Sequence, residues 1–142
     1  MAASSPTEKH ILVVDDSPEV SDSLTEILEG AGYRVAQACQ GRQALSYLRN
    51  APLPSVILLD LQMPVMSGRE FRQAQQKDPR LKAIPVILLS DEGNLSVHAG
   101  ELGVKAFLTK PVDRDLLLAH VRHCLDPEAG RAPEQPATTA AR

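Results

Sequence analysis

Val56-Ile57-Leu58-Leu59-Asp60 is a short unbroken apolar run, rich in β-branched residues, that ends on a carboxylate. A strand with one solvated face would alternate apolar and polar; a continuous run suits a strand buried on both faces, as in a parallel sheet. Two other stretches have the same form. Ile11-Leu12-Val13-Val14 runs into Asp15-Asp16, and Val86-Ile87-Leu88-Leu89 runs into Ser90. Tyr33 to Ala38 and Lys105 to Leu108 are weaker strand candidates, placed nearer the sheet edges.

Helical patterns lie between these runs. Val20, Leu24, Ile27, Leu28 and Ala31 stripe one helix face. That helix opens with Ser17-Pro18-Glu19, a polar cap, a first-turn proline and an early acid, and closes at Gly30 or Gly32. Leu117, Val121 and Cys124 stripe the last helix, with Leu116 and Leu125 beside them. Arg42 to Asn50 and Gly68 to Lys77 fit shorter helices. Asn94 to Leu102 is the poorest, because Gly100 costs about 1 kcal/mol relative to alanine in a helix. The β-α alternation predicts a doubly wound α/β sheet, in which ligands sit at the carboxyl ends of the strands.

The 142 residues suit one domain, and a hydrophobic fraction of 43% excludes wholesale disorder. A net charge of −3 without a basic cluster excludes a domain that grips nucleic acid or an anionic membrane by charge alone. Cys39 and Cys124 make neither a metal spacing nor a disulfide framework, which points to a reducing compartment. Met1 to Lys9 lacks the apolar run of a signal peptide, and no stretch is long enough to span a bilayer. The expectation is a soluble cytoplasmic chain. Residues 1–8 read as a flexible lead, 9–125 as the folded domain, and 126–142 as a Pro/Ala-rich tail or linker.

Parallel strands put Asp15, Asp16, Asp60, Ser90, Thr109, Lys110 and Pro111 on one rim. Three crowded carboxylates raise each other's pKa unless a cation intervenes, and Mg²⁺ favours carboxylates together with water and phosphate oxygens. An ionised aspartate beside such an ion is a competent nucleophile toward phosphorus. The charge that develops on the phosphoryl oxygens calls for a metal, a cation and a hydroxyl donor, for which Asp16, Lys110 and Ser90 are the candidates.

Val13-Val14-Asp15-Asp16 with Pro18, Leu59-Asp60 with Met63-Pro64 and Gly68, Ser90, and Phe107-Leu108-Thr109-Lys110-Pro111 stand in order, each at a strand end. On these motifs the chain resembles the receiver domain of two-component response regulators over nearly all of residues 9–125. The resemblance implies a flavodoxin/CheY-like fold: a five-stranded parallel sheet of order 2-1-3-4-5 flanked by five helices. It implies Asp60 as phosphoacceptor, Mg²⁺ held by Asp16 directly, by Asp15 through water, by Asp60 and by the Gln62 backbone carbonyl, and Lys110 on the phosphoryl group. Ser90 and Phe107 would be the switch pair, and the bond from Lys110 to Pro111 would be cis. Implied partners are a sensor histidine kinase or phosphotransfer protein and an output protein or domain, with room for a homodimer formed on phosphorylation. Asp91, where the family usually has a small residue, adds a charge beside the rim. Gln62 and Glu92 occupy positions that tune dephosphorylation, and Phe107 lacks the hydroxyl a tyrosine would carry. The glycine-containing helix from Asn94 is the expected mobile output element.

Each motif also has a plainer reading. An Asp pair before Ser-Pro caps a helix, Asp60 starts a turn, and Lys-Pro is an ordinary loop. The alternative function is a phosphorylation-independent interaction module of the same fold. An aspartyl-phosphate phosphohydrolase wants a second acid two residues after the nucleophile, where Gln62 stands, so no enzyme is expected. A mononucleotide cradle is disfavoured by the acidic, glycine-free Asp15-Asp16-Ser17-Pro18 loop. His120, His123 and Cys124 are expected along the boundary and solvated face of their helix, and His10 and His98 on the surface. Met63 is expected to pack. Arg69, Arg72, Lys77, Arg80 and Lys82 read as a solvated face.

Overall fold

A computed structural model describes residues 10–50, 52–63, 66–91, 95–104 and 106–125. The strands are β1 His10–Val14, β2 Arg34–Ala38, β3 Val56–Asp60, β4 Val86–Ser90 and β5 Ala106–Thr109. The helices are α1 Pro18–Gly30, α2 Gly41–Asn50, α3 Gly68–Gln76, α4 Leu95–Leu102 and α5 Arg114–Leu125. All four strand pairings are parallel, in the order β2-β1-β3-β4-β5. The lead, the tail, Pro64, Glu92, Asn94 and Lys105 lie outside the described residues.

The unbroken apolar runs are explained by what each face of the sheet meets. Leu12 and Val14, Ile57 and Leu59, and Leu88 point to one layer, closed by Ala44, Leu45 and Leu48 of α2, Phe71 of α3, and Leu95 and Ala99 of α4. Ile11 and Val13, Val56 and Leu58, and Ile87 and Leu89 point to the other, closed by Leu24 and Leu28 of α1 and Leu117 and Val121 of α5. Both faces of β1, β3 and β4 are thus covered, so every position must be apolar until the strand reaches the rim. Burial of each such leucine or isoleucine stabilises by about 1.5–3 kcal/mol.

Local signals place the ends. Ser17 caps α1 by accepting from Val20 N–H, with Pro18 in the first turn. After Gly30 the chain turns through Gly32, whose φ of +99° is the left-handed region that favours glycine. Ser67 and Glu70 form a reciprocal capping box at the start of α3. Among the described residues, no helix is long and apolar enough to cross a membrane.

Two expectations are corrected. His120 is 2% exposed, buried rather than at the boundary of α5. Leu117, His120, Val121 and Cys124 follow i, i+3, i+4, i+7, so the inward stripe includes the histidine. Burial, with His123 close by, holds its pKa below the ordinary histidine value. The basic stretch is also not simply solvated. Arg72 Nε donates to Leu102 O at 2.9 Å, and Arg80 Nη1 to Leu48 O at 3.1 Å. Both bonds tie backbone carbonyls of distant elements, which spacing along the chain cannot reveal. His10 is half-buried and meets the Tyr47 hydroxyl, while Met63 packs in the core.

Candidate functional site

The ends of β1, β3, β4 and β5 bring the rim residues together. Asp15 and Asp60 are 1% and 3% exposed, whereas Asp16 faces out. One oxygen from each of the three lies within 4.8 Å of the others. Asp15 is pinned from two sides, its backbone N–H donating to Ala38 O and its Oδ1 accepting from Ser17 N–H at 2.9 Å. The loop that caps α1 therefore also aims the first carboxylate.

Lys110 Nζ reaches into this corner, 2.9 Å from Asp15 Oδ2 and 3.3 Å from Asp60 Oδ1. Its backbone N–H donates to Ser90 O at 2.9 Å, and its bond to Pro111 is cis. The rim's repulsion is therefore relieved in part by an ammonium, where charge counting along the sequence assigned the relief to a divalent ion alone. Burial pulls the Lys110 pKa down, but Asp15 and Asp60 outweigh it and hold the group above the ordinary lysine value. Burial, reinforced by the Asp15 charge, pushes Asp60 up to about 6 against the opposing pull of Lys110 and the Gln62 N–H. That N–H lies 3.4 Å from Asp60 Oδ1, and the Gln62 side chain is exposed.

Ser90 is 1% exposed and opposite Thr109 in the β4–β5 pairing. Phe107, opposite Leu88, lies in the same core layer as Leu95 and Ala99 of α4. Asp91 follows Ser90 and is exposed. Gly68 is a spacing requirement: a Cβ there would stand 2.6 Å from Asp60 O. Asp15, Asp16, Asp60, Ser90 and Lys110 thus come to one rim, and Phe107 lies inside the sheet, one layer below it.

The response regulator receiver domain model matches residues 11–122. This chain belongs to the response-regulator receiver family. The receiver is 36% identical over 117 residues to protein PilH of Pseudomonas aeruginosa, covering 81% of this chain and 96% of PilH. It is 36% identical to response regulator Rre1 of Synechocystis over 81% of its own length, yet spans only 51% of Rre1. Chemotaxis protein CheY4 of Vibrio cholerae superposes with a TM-score of 0.75 at 31% identity, over 82% of this chain and 98% of that one. Receivers of response regulators are generally not enzymes in their own right, and they interact with histidine kinases or phosphotransfer proteins and with output domains.

Receivers bind Mg²⁺ at an acidic pocket, and the residues here fit that ion. The donors are hard carboxylate oxygens, which Mg²⁺ prefers. Asp15 Oδ2 is buried without an aligned hydrogen bond, although the Lys110 ammonium faces it. Three carboxylates and one ammonium leave two negative charges, the deficit that one divalent ion closes.

Proposed function

We propose that this receiver accepts a phosphoryl group on Asp60 from a sensor histidine kinase or phosphotransfer protein, and that the modified state changes a partner-binding surface built from α4, β5 and α5. The observation that carries the reading is the Lys110 ammonium set between two buried carboxylates at the carboxyl end of a parallel sheet.

Asp15, Asp16, Asp60 and the Gln62 carbonyl would hold Mg²⁺, which would supply charge stabilisation to the phosphoryl oxygens. The chain's own groups do the rest. An Asp60 carboxylate oxygen attacks phosphorus of the phosphohistidine; the P–O bond forms as the P–N bond breaks, and the imidazole departs with its electron pair. With a pKa near 6, Asp60 is mostly ionised at neutral pH, as a nucleophile must be. Lys110 holds the negative charge of the transferred group, and the Ser90 hydroxyl donates to one of its oxygens. Phe107, below Ser90 and against α4, carries the change outward through packing alone, because it has no hydroxyl to hydrogen-bond.

Incubation with Mg²⁺ and phosphoramidate, followed by intact-mass measurement, is expected to add one labile phosphoryl group to the parent and none to Asp60→Asn. An unmodified parent, under conditions that label another receiver, overturns this reading and favours a constitutive interaction module.

A further inference from the structure

α4 packs a short apolar stripe, Leu95, Ala99 and Leu102, against the core. Leu95 and Ala99 are its buried residues, Val97 is 54% exposed, and Gly100 has open space where a Cβ would stand. Among the described residues, α3 supplies polar contacts to it. Arg69 Nη1 lies 3.1 Å from Glu101 Oε1, and its Nη2 meets His98 Nδ1. One turn further along α3, Arg72 donates from Nε to Leu102 O at 2.9 Å and from Nη2 to Gly103 O at 3.1 Å.

These carbonyls stand at the C-terminal end of α4, where a helix runs out of its own donors. Gly103 and Val104 N–H groups cap Gly100 O and Ala99 O, and the fork of Arg72 takes Leu102 O and Gly103 O. Arg72 is itself fixed: Nη1 donates to Gln75 Oε1 at 2.7 Å. Gln75 is fully buried, and its Nε2 donates to Leu81 O and Ile84 O, both at 3.0 Å.

α3 in turn starts on the Asp60 turn. Gly68 N–H donates to Leu61 O at 2.9 Å, and a Cβ at Gly68 would be 2.6 Å from Asp60 O, so the first turn of α3 has no slack against that backbone. The Asp60 turn, α3 and α4 are thereby connected in series, with Arg69 beside Gly68 at the join.

We propose that Arg69 and Arg72 form a strap from α3 that sets the position of α4, and that the strap links Asp60 to α4 along a line separate from Ser90 and Phe107. α4 has a strapped and a released arrangement, and a group added at Asp60 shifts the balance by moving the turn on which α3 is seated. The strap itself is independent of the phosphoacceptor reading; its response to Asp60 rests on that reading.

Hydrogen exchange on the full chain tests it, comparing the parent, Arg69→Glu and the double variant Arg69→Glu/Glu101→Arg. Reversal of one charge is expected to speed α4 amide exchange by roughly fivefold while α1 exchange is unchanged, and the second reversal to restore it. Unchanged α4 exchange, failure of the double variant to restore it, or acceleration throughout the molecule overturns the strap. Should Arg69→Glu not fold, Arg72→Lys, which keeps the charge and loses the fork, is expected to speed exchange in the last turn of α4; no change there overturns it equally.

The coupling is read with Mg²⁺ and beryllofluoride, with binding followed by fluorine NMR. Where beryllofluoride binds, a change in α4 exchange in the parent that is lost in Arg69→Glu supports the line, and an equal change in both overturns it. If beryllofluoride does not bind the parent, the phosphoacceptor reading fails and the coupling falls with it, while exchange without beryllofluoride still decides the strap.

Discussion

On the proposed reading two demands conflict at Asp60: a nucleophile toward phosphorus must be charged, and a residue 3% exposed beside Asp15 resists charge. The conflict has a measurable sign. The unfolded chain's aspartate titrates near 3.9, and the folded one near 6, so between these values the folded state binds more protons. With a chelator present, stability therefore falls as pH rises through about 4 to 6 and levels off above. Asp60→Asn removes this penalty, and the variant is expected to be more stable than the parent at pH 7 by on the order of 1–3 kcal/mol, with a smaller gap at pH 4. Urea unfolding of both proteins at the two pH values checks this; a gap independent of pH contradicts it. The acids, the lysine and the serine of this site were legible in the sequence because each stands within two residues of the end of an apolar run. The Lys110 contacts with Asp15 and Asp60 were not, since they join residues 95 and 50 positions distant through side-chain placement alone.

At the scale of the element, two helical glycines have opposite roles. Gly100, in α4, has nothing near its missing Cβ, so Gly100→Ala is expected to stabilise by up to about 1 kcal/mol through helix propensity and loss of unfolded-state freedom. A Cβ at Gly68, at the start of α3, would stand 2.6 Å from Asp60 O and 2.9 Å from Leu61 Cα, both backbone atoms that cannot rotate aside. Gly68→Ala is expected to destabilise by about 1–3 kcal/mol, because overpacking outweighs the propensity gain. Thermal unfolding of the pair checks both signs together; a shift in the same direction in both defeats the distinction. The elements themselves could be read from the sequence because burial on both faces leaves a continuous apolar signature in β1, β3 and β4. What escaped was polar burial. His120 was assigned to the helix boundary although it continues the Leu117 stripe, and Gln75 and Arg72, which tie the loop before β4 to the end of α4, have no periodic signature.

For the whole molecule, the sheet concentrates charge at one end. The strands deliver three carboxylates to a single rim in a chain whose net charge is only −3, and one ammonium offsets part of them. A ligand that binds only the folded state stabilises it by RT ln(1 + [L]/Kd), so Mg²⁺ should act on global stability and not only on the rim. At 100-fold over its dissociation constant the gain is about 2.7 kcal/mol, which for a domain of this size shifts the thermal midpoint by about 10 °C. The shift is expected to saturate with Mg²⁺, to reverse on addition of a chelator, and to shrink strongly in Asp16→Asn, whose exposed side chain leaves the core untouched. Sodium chloride at matched ionic strength separates the two physical origins: diffuse screening of a negatively charged surface responds to any salt, whereas a cage of hard oxygens responds to the divalent ion. Scanning calorimetry of the parent and Asp16→Asn across a Mg²⁺ titration makes the comparison. Equal shifts with sodium and magnesium would mean that the three aspartates share a rim without forming a site.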